Sequence, residues 1–101
     1  MIDRDAIANA LGFSRKDIDM VLDLFVADAT ASLEQLDRAV EQNDLAKLLD
    51  AAHAIKGSAG NFKLEDLYEE AMKIEAAAKA GLADFDYETG ARRLRELLGE
   101  V

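Results

Sequence analysis

The chain contains a single histidine, His53, in the stretch AHAIKGSAGNF, with Lys56 three residues on and Gly57 directly after it. The Lys56 ammonium is a mobile positive charge for an anion held near the imidazole. Metal chemistry is disfavoured, because no second histidine and no cysteine exists to complete a ligand shell. Hydrolase chemistry fares no better: neither a Ser/His/Asp nor a Cys/His set can be assembled around this one ring. The glycine is the anomaly. In a helix interior it costs about 0.5–1 kcal/mol relative to alanine, and a second glycine, Gly60, follows on the same side. We read both as admitting something that must come very close to His53.

The element carrying these residues reads as a helix over about residues 45 to 62. At about 100° per residue, Leu48, Ala51, Ala52, Ile55, Ala59 and Phe62 gather into one apolar stripe. His53 falls roughly 140° from the centre of that stripe and is therefore expected in solvent, midway along the helix. Leu49, Lys56 and Gly57 are its neighbours one turn away, and Ala46 and Gly60 lie two turns away. Three of these five are Gly or Ala, leaving a low, flat patch around the ring. From these residues alone, a lone surface histidine, an ordinary surface lysine and glycines that let helices approach each other remain open readings.

The rest of the chain is patterned to the same period. It has no proline, it lacks the alternation of β-strands, and Ala, Leu, Glu, Asp and Lys favour helix throughout. A short first helix over about 3 to 11 carries Ile7, Ala10 and Leu11 and stops at Gly12, before a Ser14 N-cap with Asp17 in capping-box position. Ile18, Leu22, Phe25, Ala29, Leu33, Leu36 and Val40 form the stripe of a long helix to about Gln42, and Asn43 or Asp44 can cap the next. A fourth helix, from about Glu65 to Ala80, turns Leu67, Ala71, Ile74 and Ala78 inward and stops at Gly81; a fifth carries Tyr87, Ala91, Leu94 and Leu98. Short connections make successive helices antiparallel. The expected fold is all-α: an antiparallel up-and-down four-helix bundle with an additional short N-terminal helix across one end, one domain over residues 1–101.

Twenty-one acidic against twelve basic residues give a formal charge of −9, which argues against nucleic acid and anionic membrane surfaces as partners. No apolar run approaches the roughly 20 residues of a membrane span, and the N-terminus lacks a signal-peptide pattern. These features point to a cytoplasmic protein, expected to be a monomer.

AHAIKGSAGNF resembles the signature of histidine phosphotransfer (HPt) domains, His-x-x-Lys-Gly-[Ser/Ala/Gly]-[Ser/Ala], at His53, Lys56, Gly57, Ser58 and Ala59. The likeness extends upstream through DLAKLLDAAH and downstream through IEAAAKAG, over nearly all of the chain. It implies a phosphoryl carrier of two-component phosphorelays, with no ATP-binding domain, cofactor or metal of its own. On this resemblance His53 accepts the phosphoryl group from a receiver-domain aspartyl phosphate and returns it to another receiver. The partners would be receiver domains of response regulators or hybrid histidine kinases, whose aspartate and divalent cation do the phosphoryl chemistry. Lys56 would neutralise phosphoryl oxygens. Gly57 would let the receiver close over the ring, with Gly60, Ala46, Leu49 and Lys63 also on the docking side. Glu75 and Lys79 fall where relatives place polar or basic groups near the imidazole; Glu75 would fix the tautomer, unless the two form only a surface ion pair. Many relatives carry Gly at the position of Lys63; a left-handed lysine there would cost roughly 1 kcal/mol, so the turn is expected either to use Asn61 or to be shaped differently. Two alternatives stand beside this reading: the phospho-accepting domain of a chemotaxis-type kinase, and, in another class, a helical adaptor that uses the flat patch without phosphate.

Overall fold

The computed structural model describes residues 2–101. Five helices follow in order: α1 (Arg4–Leu11), α2 (Arg15–Gln42), α3 (Leu45–Asn61), α4 (Glu65–Lys79) and α5 (Tyr87–Leu98). Their starts are written locally in the sequence. Asp3, Ser14, Asp44 and Asp86 each accept a hydrogen bond from the backbone N–H three residues on, satisfying one donor that the first turn leaves free. Between the two capping candidates at the α2–α3 junction, Asp44 caps α3 while Asn43 closes α2.

Four helix ends share one device. Gly12, Asn43, Lys63 and Gly81 are all left-handed, and in each case the next residue donates to a carbonyl five residues back: Phe13 to Ala8, Asp44 to Ala39, Leu64 to Ala59 and Leu82 to Ala77. This is the Schellman arrangement. It corrects the expectation for the end of α3, because Asn61 stays helical and Lys63 itself takes φ 56°. The penalty of about 1 kcal/mol for a side chain in that conformation is offset locally. The closing bonds from Lys63 and Leu64 are both made, and Leu64 is buried at the turn.

The helices form a bundle 43 Å long and 19 Å across. α2 packs on α3 and α5, and α4 packs on the same two helices; the contact between α3 and α4 is the most extensive. The expected stripes fill the interior, with Ile18, Leu22, Leu36, Leu48, Ile55, Ile74 and Leu94 almost wholly enclosed. Three details differ at the margins: Val40 is only half-buried beside the buried Ala39, Ala10 of α1 is exposed whereas Ala8 is buried, and Phe62 is half-buried just past the end of α3. Phe25 meets Phe62 edge-on at 5.7 Å between ring centres, bracing α2 against the end of α3. Arg4 ties α1 down, reaching Asp19 at 3.0 Å, Asp23 at 3.1 Å and the carbonyl of Val101 at 2.9 Å. Among the described residues no helix is long and apolar enough to cross a membrane.

Candidate functional site

α3 presents His53 because its opposite face is committed to the core: Leu48, Ala51, Ala52, Ile55 and Ala59 are all buried. The ring side is open, and the His53 side chain keeps 69% of its accessibility. Glu75, on α4, meets it there. Its Oε2 lies 2.5 Å from His53 Nδ1, and its Oε1 lies 2.6 Å from Lys56 Nζ. One carboxylate therefore binds two side chains of α3, one with each oxygen. Glu75 and Lys56 are largely covered, at 15% and 22% accessibility, so an exposed ring stands over a partly sheltered ion pair.

The electrostatics follow from this contact. Lys56 chiefly, and then His53, hold the Glu75 carboxyl below the usual glutamate range, against an opposing desolvation effect. Glu75 in turn holds the Lys56 ammonium above the usual lysine range. An ionised carboxylate can only accept hydrogen bonds. Nδ1 must then be the donor, and in the neutral ring Nε2 retains its lone pair. Nε2 has no hydrogen-bond partner among the described residues. The arrangement turns a ring nitrogen with a free lone pair toward solvent, with Lys56, Lys79 and the carboxylate of Asp50 in the same hollow.

Leu49, Asp50, His53, Lys56, Glu75 and Lys79 line one shallow hollow. Glu75 pairs with Lys56 rather than Lys79, and Lys56 is anchored where the sequence suggested a mobile group; Lys79 makes no ion pair among the described residues. Gly57 is exposed, and a Cβ added to it would meet nothing within 4 Å. Ala46 is exposed on the same helix, outside the hollow.

Gly60 and Lys63 are placed differently from the simple docking picture. A Cβ on Gly60 would stand 3.3 Å from Cδ2 of Tyr68, so this glycine seats an aromatic ring from α4. Lys63 lies past the end of α3, in a separate groove with Ile2, Asp3, Ile7 and Leu97, and does not join the cations around His53. It leaves the docking side expected for it because the chain departs from the helix before that residue. The sequence pattern alone does not single out Tyr68, although its spacing from Glu75 and Lys79 puts all three on one stripe of α4.

No group of three or more His, Cys, Asp or Glu side chains among the described residues is arranged to hold a metal ion. In comparison with known proteins, the family model described as "Hpt domain" matches residues 20–101. No curated protein and no solved structure matches the chain.

Proposed function

The chain belongs to the Hpt domain family, and from that premise we propose that it relays a phosphoryl group between receiver-domain aspartates through a phosphohistidine at His53. Hpt domains are phosphoryl carriers in phosphorelays and not kinases. One observation carries the assignment to this residue: the only histidine of the chain is exposed and bonded through Nδ1 to a carboxylate, leaving Nε2 free. In acceptance, the Nε2 lone pair attacks the phosphorus of an aspartyl phosphate. The N–P bond forms as the P–O bond to the aspartate breaks, and the aspartate leaves as a carboxylate. Positive charge developing on the ring faces Glu75. The Lys56 ammonium has three donors, of which Glu75 engages one, so it can reach phosphoryl oxygens without leaving its anchor. Lys79 supplies a second cation at the mouth of the hollow. Donation to the next receiver is the same step reversed.

This reading takes α2 to α5 as an antiparallel up-and-down bundle, supported by their cyclic packing order and short connections. It takes the protein to be a cytoplasmic monomer without cofactor or metal. The test is incubation with a receiver domain charged by acetyl phosphate. The wild type gains acid-labile, alkali-stable phosphate; His53→Gln gains none while keeping its helicity and nearly all of its thermal stability. Phosphohistidine in that variant would rule the assignment out, since the chain has no other histidine.

A further inference from the structure

Two large apolar side chains stand exposed on the His53 side of α4: Tyr68 at 37% and Met72 at 42% accessibility. Tyr68, Met72, Glu75 and Lys79 succeed one another at spacings of four, three and four, which places them on a single helix stripe facing α3. Across from them α3 offers Gly57 and Gly60, neither with a side chain. The Tyr68 ring rests on Gly60, in the space a Cβ would crowd. The result is a low apolar shelf that continues along α4 into the hollow holding His53, Lys56, Glu75 and Lys79.

We infer that Tyr68 and Met72 form the docking shelf for the receiver domain on the α4 side of His53; this rests on the phosphotransfer reading given above. Interface size supports it. A standard interface covers about 800 Å² on each partner, a disc of about 15 Å radius. Gly60, and the ring upon it, lies seven residues beyond His53, about 10 Å at 1.5 Å rise per residue. A partner that centres on His53 therefore covers the shelf. Charge selects the partner's chemistry. The chain is acidic overall, at −9, whereas the hollow beside the shelf is balanced: Lys56 and Lys79 stand there against Glu75 and Asp50. An acidic pocket carrying an aspartyl phosphate meets no net repulsion at this edge, unlike most of the remaining surface. Both side chains have the chemistry of a contact surface. Buried aromatics concentrate binding energy, and methionine adapts to partners of different contour. Gly60 then serves docking indirectly, by seating Tyr68.

The experiment compares two phosphodonors on the full chain: a phosphorylated receiver domain from the same organism, and phosphoramidate, which is too small to need a docking surface. For Tyr68→Ala with Met72→Ala, transfer from the receiver should fall by about tenfold or more, while phosphorylation of His53 by phosphoramidate stays at the wild-type rate. Met72→Glu, a good helix former at an exposed position, provides a second variant. It should slow receiver transfer through like-charge repulsion, and the loss should shrink at high salt. Wild-type receiver transfer in these variants would overturn the shelf, as would equal losses with both donors. So would sedimentation showing a wild-type dimer that Tyr68→Ala converts to monomer, because the surface would then serve self-association. If the wild type accepts phosphate from neither donor, the underlying phosphotransfer reading fails, an outcome distinct from a failed shelf.

Discussion

Replacing Gly57 separates stability from transfer, and the structure sets the sign of each effect. A Cβ added there meets nothing within 4 Å, so Gly57→Ala gains the full helix-propensity difference, about 1 kcal/mol, with no packing penalty. For a domain of this size that corresponds to a rise in melting temperature of about 4–8 °C. Gly57→Gln keeps most of the gain, because glutamine is a good helix former and its side chain projects into solvent. That side chain stands one turn beyond His53 on the same face, where the proposed function has the partner's phosphoaspartate approach Nε2. A displacement of about 1 Å from reacting geometry can cost on the order of 100-fold in rate. Thermal melts followed by circular dichroism and single-turnover transfer from a phosphorylated receiver measure the two effects. Transfer should collapse in Gly57→Gln while the melting temperature holds or rises. Full transfer in a folded Gly57→Gln refutes close approach as the reason for the glycine; loss of stability along with transfer assigns it a packing role instead.

Gly90→Ala should behave in the opposite way. Its Cβ would stand 2.9 Å from Cδ1 and 3.0 Å from Cγ1 of the enclosed Ile74, an overpacking that costs about 1–3 kcal/mol. The melting temperature should fall, and Ile74→Val in the same chain should recover part of it; an unchanged melt would mean that the core yields freely there. Glu75 makes stability depend on pH. Its carboxyl is held below its unfolded range by Lys56 and His53, so its contribution is present above the usual glutamate pKa of about 4.3 and is lost as pH falls through the lower folded value. The stability difference between wild type and Glu75→Gln, from urea titrations, should be largest at neutral pH and vanish in acid. A difference independent of pH would show that the charge on Glu75 contributes nothing.

Most of the helices could be read from the sequence because each stripe, cap and stop is a local property. Ser14 and Asp44 carry their hydrogen-bonding atom wherever they stand, and the left-handed turn at Gly12 needs no tertiary contact to explain it. Lys63 shows where that logic ends. A residue's identity argued against a left-handed turn at 63, yet the closing bonds and the buried Leu64 hold it there. Tertiary packing overrides a local preference of about 1 kcal/mol. The site divides along the same line. The exposure of His53 follows from the period of α3 alone. That Lys56 binds Glu75, and that Lys79 does not, depends on the rotation of α4 against α3, about which the spacing of four between Glu75 and Lys79 is silent.

The three glycines inside helices make the distinction concrete. Gly57, Gly60 and Gly90 lose about the same helix propensity relative to alanine, and a wheel gives each a direction but not what lies in it. Around Gly57 there is open space; Gly60 faces the edge of a tyrosine ring; Gly90 faces the buried end of Ile74. The first has no partner within the fold that would explain it, the second makes room for a side chain that is itself exposed, and the third is set by the core. A cost with no internal return points outward. It falls at the residue one turn from a free imidazole nitrogen, which is where, on the proposed function, a phosphoryl-bearing partner comes closest.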